Sequence, residues 1–146
     1  MTDVFHPSRA EITALLSLAA ENLKLARLEF EHGFPRSVVS KACFVFLDVA
    51  RAAPLSRGVI ARTHGGCVTE FGRVFVNSGE VSADYGRWFN RALRSRQEAD
   101  YEALKSFTAE DASEAIEHAQ RFYDELHPII EARIAGKGNP GRRESA

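Results

Sequence analysis

Between Val38 and Ala50 the chain carries an apolar residue at almost every position around a helix. Val38, Val39, Ala42, Val45, Phe46, Val49 and Ala50 recur at the three- and four-residue spacing of one helical face. Cys43, Phe44 and Leu47 widen that face until little of the helix is left for water. Such a helix belongs at the centre of a bundle or at a subunit contact. Pro35 suits its first turn, and Pro54 to Gly58 should end it, because Pro54 lacks an N–H donor and clashes with the preceding turn. Asp48 interrupts the apolar run. A carboxylate there must find a cation or a subunit boundary, and Arg51 and Arg96 are the candidate cations.

The remaining segments supply helices to surround it. Ser8 with Glu11 forms a capping box, and Ile12, Leu15, Leu16, Ala19, Leu23, Ala26 and Phe30 predict a helix over about 9–32, stopped by Gly33. Thr63-His64-Gly65-Gly66 predicts a helix start, with Val68, Phe71 and Phe75 carrying it to about Val76, where Asn77-Ser78-Gly79 breaks it. Ser82 caps a fourth helix whose apolar face is Tyr85, Trp88, Phe89 and Ala92. Thr108 with Asp111 caps the last, striped by Ala112, Ile116, Ala119, Phe122, Leu126 and Ile130. Pro128 lies inside that stripe and is expected to kink or divide the helix. With no period-2 segment and no repeat, the pattern predicts an all-α bundle of about five helices in one domain, residues 8–135. Residues 1–7 read as an arm, and the Gly-rich residues 136–146 as a disordered tail.

A formal net charge of −1 gives no global sign of a nucleic-acid partner. The distribution says more. Leu55 to Arg96 holds seven arginines against Glu70, Glu80 and Asp84, a net of 7 − 3 = +4, a basic middle able to steer an anion or simply a solvated helix surface. Cys43 and Cys67 have neither disulfide nor metal spacing and read as core residues; the chain reads as metal-free and cofactor-free. Without a basic-then-apolar leader or a membrane-length apolar run, a cytoplasmic protein is expected.

Candidate chemistry concentrates in Arg94-Ser95-Arg96-Gln97-Glu98-Ala99-Asp100-Tyr101. Counting by four from Ala92 reaches Arg96 and then Asp100, so Arg96 continues the inward stripe, while Arg94 lies on another face and can pair with Glu98. An arginine on an apolar stripe needs a partner. Asp100 at i+4 is the natural one, and Tyr101 adds a hydroxyl. Two readings stand side by side: an ion pair anchoring the helix end, or a pre-oriented guanidinium that receives a phosphate with Asp100 or Gln97 fixing its geometry. His64, at a helix start, is either a capping residue or an acid/base beside a bound anion. Arg94, Gln97, Asp100, His64 and Asp48 form the candidate binding set, and Arg96 and Tyr101 the candidate catalytic pair.

Three stretches carry a family resemblance: Ser40 to Ala52, Thr63-His64-Gly65-Gly66 with Phe71-Gly72, and Arg96-Gln97-Glu98-Ala99-Asp100-Tyr101. In these the chain resembles the HEPN family (higher eukaryote and prokaryote nucleotide-binding domains), in particular its small prokaryotic branch that often stands beside a minimal nucleotidyltransferase. The resemblance implies an antiparallel helical bundle that dimerises with the arginine motifs of two subunits facing each other. It implies an RNA-targeting toxin, a metal-independent ribonuclease, with a nucleotidyltransferase-like antitoxin as partner. The nuclease members carry Arg, a polar residue, three variable residues and then His. Arg96 and Gln97 match the first two positions, and Tyr101 stands where the His would be. That branch commonly has tyrosines at 43 and 44 and a histidine at 48, where this chain has Cys43, Phe44 and Asp48. A phenol is a poor base at neutral pH. The alternative is therefore a non-catalytic dimer that binds nucleotide or RNA or scaffolds a nucleotidyltransferase partner.

Overall fold

The computed structural model describes residues 9–137. The expected arm, the Ser8 cap and residues 138–146 of the expected tail lie outside the described residues. Five α-helices follow one another: α1 (Arg9–Glu31), α2 (Pro35–Leu55), α3 (His64–Phe71), α4 (Ala83–Tyr101) and α5 (Ala109–Lys137). Among the described residues there is no strand. No helix among them is long and apolar enough to cross a membrane.

The helix ends are built as the local chemistry demands. Gly33 takes φ +81° after α1, and the Phe34 N–H reaches back to the Glu29 carbonyl at 2.9 Å, closing α1 and turning the chain into α2. Thr63 caps α3 by accepting from the Gly66 N–H at 2.8 Å. A Cβ on Gly66 would meet that same Thr63 oxygen at 3.0 Å, so the second glycine of the pair serves the cap. Thr108 and Asp111 satisfy each other's backbone N–H groups at 3.0 and 2.9 Å at the start of α5.

Two elements depart from the periodicity. The third helix does not reach Val76 as an α-helix: Gly72–Val76 winds as a π-helix, with the Asn77 N–H bonded to the Gly72 carbonyl at 2.8 Å. Phe71 and Phe75 both enter the core across this wider turn, with ring centroids 5.6 Å apart. Nor does Pro128 divide α5, which runs through it and through Gly136 to Lys137. Pro128 is exposed, so the carbonyl left without its N–H partner can turn to water.

α2 is the axis. Thirteen of its residues are buried, from Val38 to Leu55. α1 lies along it through Ile12, Leu15, Leu16, Ala19 and Leu23, while α5 covers another side with Ala119, Phe122, Leu126 and Ile130. Alanines at 19, 42, 50 and 119, each essentially inaccessible, let the helix axes approach. Phe46 of α2 lies at the aromatic centre, stacked 4.6 Å from Phe122 and 5.7 Å from Phe89. Arg9 donates to the Ile134 carbonyl at 3.2 Å, tying the start of α1 to the end of α5.

One edge of α2 stays partly open. Ser37, Lys41, Phe44 and Asp48 are half-buried and Arg51 is exposed, a stripe at alternating spacings of four and three. α1 holds one side of it: Glu29 accepts from Ser37 at 2.8 Å and Lys41 at 3.2 Å, and Asn22 donates to Asp48.

Because Phe46 joins α2 to both α4 and α5, Phe46→Ala is expected to lower unfolding free energy by about 3–5 kcal/mol, a large part of the margin of a domain this size. Urea denaturation checks this; a loss under about 1 kcal/mol contradicts the central role of that ring.

Candidate functional site

α4 brings Arg96 against the open edge of α2. The Arg96 guanidinium lies over the Phe44 ring, 4.8 Å from its centroid. Its Nε sits 3.2 Å from Asp100 Oδ2, one turn on. The Nε–H is out of line with that oxygen and shielded from water, so the contact is coulombic. No hydrogen bond among the described residues engages this guanidinium, which is held by a ring and a charge while its donors are unspent. Side-chain exposures of 22% for Arg96 and 29% for Asp100 leave the pair reachable from solvent. A cation over an aromatic face at such a half-open position is worth roughly 0.5–2 kcal/mol.

Behind Phe44, Cys43 is wholly buried, and burial pushes its thiol up to about 12, against the pull of Arg96 and with the push of Asp100 and Asp48. It is an inert packing residue. It also marks a common centre, since all three charges act on it.

Asp48, one turn along α2 from Phe44, accepts a hydrogen bond from Asn22 Nδ2 at 3.2 Å. Burial raises its carboxyl from 3.8 to about 6, only partly offset by that hydrogen bond and by the Arg51 charge. Of the two expected cations, Arg51 is the one that acts on it. Arg51 also acts on Cys67, where it opposes the rise that burial gives the thiol.

The other expected residues are dispersed. Tyr101, the last residue of α4, is 75% exposed, and its phenol makes no hydrogen bond or ring contact with Arg96 or Asp100. Gln97 and Arg94 are exposed without a described partner. The expected Arg94–Glu98 pair does not form, because Glu98 turns to Lys105 at 3.7 Å. His64 is exposed in the first turn of α3, outside any contact with the Arg96 pair. The basic middle is largely neutralised: Arg57 pairs with Glu80, Arg73 with Glu70, Arg87 with Asp84 and Arg91 with Glu114. Among the described residues no group of three or more His, Cys, Asp or Glu is placed to hold a metal.

Sequence reasoning missed the residue that fixes the end of α4. Arg36, in the first turn of α2, donates to the carbonyls of Ala99 at 2.7 Å and Glu102 at 3.2 Å, with Glu98 at 3.5 Å and a further bond to Lys105. It also lies 5.4 Å from the Phe107 ring centroid. One cation thus satisfies the C-terminal carbonyls of α4, where the helix dipole is negative, and holds the turn that carries Asp100 and Tyr101. Its acceptors are backbone atoms more than sixty positions away, and no side-chain pattern announces them.

The displaced carboxyl of Asp48 gives a signed expectation. Its folded value near 6 lies above the ordinary 3.8, so the folded state holds this proton more tightly than the unfolded chain. Stability from this group is full below about pH 4 and is lost as pH rises through about 6. Asp48→Asn can still accept from Asn22, and it should stabilise the protein at pH 7.5 by on the order of 1 kcal/mol after allowance for solvent screening. The gain should vanish below pH 4. Equal stability of the two proteins from pH 4 to 8, measured by chemical denaturation, contradicts this.

The family model described as HEPN domain matches residues 12–129. A protein of Methanocaldococcus jannaschii called "Putative toxin" is 35% identical over 122 residues, covering 84% of this chain and 90% of that one. A "UPF0332 protein" of Thermotoga maritima is 29% identical over 113 residues, covering 77% and 86%. A second M. jannaschii protein called "Putative toxin" is 20% identical over 137 residues, covering 94% and 93%. With the family model spanning α1 to most of α5, and with the helix order and the Arg96 motif in place, the chain belongs to the HEPN family.

Proposed function

We propose that this chain is the RNA-directed toxin of a two-protein toxin–antitoxin system. In this reading residues 8–135 act as one unit and as a homodimer, with a nucleotidyltransferase-fold protein as neutralising partner. One observation carries the reading: the Arg96 guanidinium stands on Phe44 at the open edge of the core helix, with no hydrogen bond to any described residue. A planar fork held in that way is suited to a phosphate oxygen pair. The names of two relatives add support.

The chemistry is in-line attack of a ribose 2′-oxygen on the adjacent phosphorus. It forms a 2′,3′-cyclic phosphate and releases a 5′-hydroxyl. Arg96 balances the charge that builds on the equatorial oxygens. The 2′-hydroxyl proton needs an acceptor, and Asp48 is the carboxylate on this edge with raised proton affinity. The leaving 5′-oxygen needs a proton, which the exposed Tyr101 phenol supplies. The phenolate is then reprotonated from solvent, and Asp48 gives up to solvent the proton it took. Facing edges of two subunits let these groups come from different chains, which accommodates the separation of Tyr101 from Arg96 within one chain. No step calls on a metal.

The Arg96–Asp100 pair favours a second reading. An arginine already beside a carboxylate suits a dimer that binds RNA or nucleotide, or scaffolds its partner, without turnover.

The test is cleavage of oligoribonucleotides by the purified protein in EDTA. The toxin reading expects cyclic-phosphate products and a loss of about a hundredfold or more in Arg96→Ala. It also expects an acidic limb near pH 6 that disappears in Asp48→Asn. The same background from wild type and Arg96→Ala sinks catalysis. RNA binding that depends on Arg96 without cleavage selects the second reading.

A further inference from the structure

α4 and α5 do not close on each other along their whole length. Between them lies an open slot of about 190 Å³, on a side of α4 that carries Trp88, Ala92, Ser95 and Glu98. None of the residues assigned to the Arg96 site lines it. Its floor is α2, through Val39, Ala42 and Phe46. The residues facing across it are small: Ala92 and Ser95 on α4, Ala115 on α5. One end holds Trp88 and His118, stacked 3.9 Å apart and parallel within 2°. The other end holds Phe107 and Lys105 of the α4–α5 connection.

Size limits what enters. A cavity of about 150 Å³ lined by apolar side chains holds a benzene ring. This slot therefore suits one ring or a compact branched alkyl group with a short polar arm, and is too small for a drug-sized ligand.

Charge selects further. Three carboxylates line the slot, Glu98, Asp111 and Glu114, against two cations, Arg91 and Lys105, a net of 2 − 3 = −1. Both cations are loosely placed: Arg91 is 3.5 Å from Glu114, and Lys105 is 3.7 Å from Glu98. The Glu98 carboxylate is 27% exposed, and no hydrogen bond among the described residues satisfies it. Burial lowers the proton affinity of His118, so the inner wall is uncharged at neutral pH. An apolar floor, a flat aromatic wall and a carboxylate at the lip held only by a loose ion pair with Lys105 complement one kind of molecule.

We propose that the slot between α4 and α5 binds a small organic monocation, a primary amine bearing one ring or a compact alkyl body. The body lies on Val39, Ala42 and Phe46 beside Trp88. The ammonium donates to Glu98, with Asp111 and Glu114 adding attraction.

Trp88 is the single tryptophan of the chain, so fluorescence under tryptophan-selective excitation reports on this slot. The experiment titrates the full-length protein with phenethylamine, 3-phenylpropionate and 2-phenylethanol. Saturable change is expected with the amine, and binding at least about tenfold weaker with the anion and the alcohol. Glu98→Gln should weaken the amine by about tenfold. Ala92→Leu, which fills the slot, should abolish its effect. Equal response to amine and alcohol means an apolar gap without cation recognition, and overturns the proposal. So does unchanged amine affinity in Glu98→Gln, a comparison that stands even if Ala92→Leu does not fold. Absence of any saturable response to the amine overturns it as well.

Discussion

Burial of α2 on nearly every side is the constraint on which the rest of this structure depends. A helix with that much apolar surface has to be enclosed, and α1, α4, α5 and the α3 region with its π-helical extension are arranged around it. Each contributes its own apolar stripe, and the rings of Phe46, Phe71, Phe89 and Phe122 lock the enclosure where these elements meet. The enclosure is incomplete along one line, from Ser37 through Phe44 to Arg51. The proposed function uses this line because a rigid core helix offers fixed positions and a partly dry setting, in which a charge is felt more strongly than on an open surface.

Two charges on that line behave differently. Arg96 is placed by packing, on Phe44, and by the coulombic pull of Asp100, and its hydrogen-bonding capacity is left over. Asp48 is satisfied by a single donor and weakly opposed by Arg51, so its negative form is poorly supported and its proton affinity rises. A cation with free donors and a carboxyl poised near neutrality are complementary tools for moving charge at a phosphate. Arg36 keeps the geometry stable by pinning the end of α4 from below, with Phe107 beneath its own guanidinium.

Much of the fold was legible because it rests on periodicity and caps. The apolar stripes, the helix start at Thr63-His64-Gly65-Gly66, the Ser82 and Thr108 caps and the Gly33 turn are local signals, and each appears where its spacing placed it, with Thr63 rather than His64 supplying the cap of α3. The π-helical turn after Phe71 was not legible, since an i→i+5 bond leaves no pattern distinct from the α-helical one. Pro128 misled for a related reason: whether a proline breaks a helix depends on which side its orphan carbonyl faces, and that is set by tertiary burial. In the site, the i,i+4 spacing of Arg96 and Asp100 was readable, and so was the inward direction of Arg96. Its platform Phe44, the Asn22 donor and the Arg36 clamp were not, because each is a contact between distant segments. Arg94 and Glu98 had the right spacing too, yet Lys105, reachable only through the following loop, takes the carboxylate.

The central claim is that Arg96, and no other arginine of the basic middle, receives a nucleic-acid phosphate. The most direct measurement follows the Nε–Hε resonances of the arginines while a short oligoribonucleotide is added. The account predicts a saturable shift at Arg96 with little change at the exposed Arg94 and Arg62. Shifts spread evenly over the exposed arginines, with Arg96 unmoved, would contradict it.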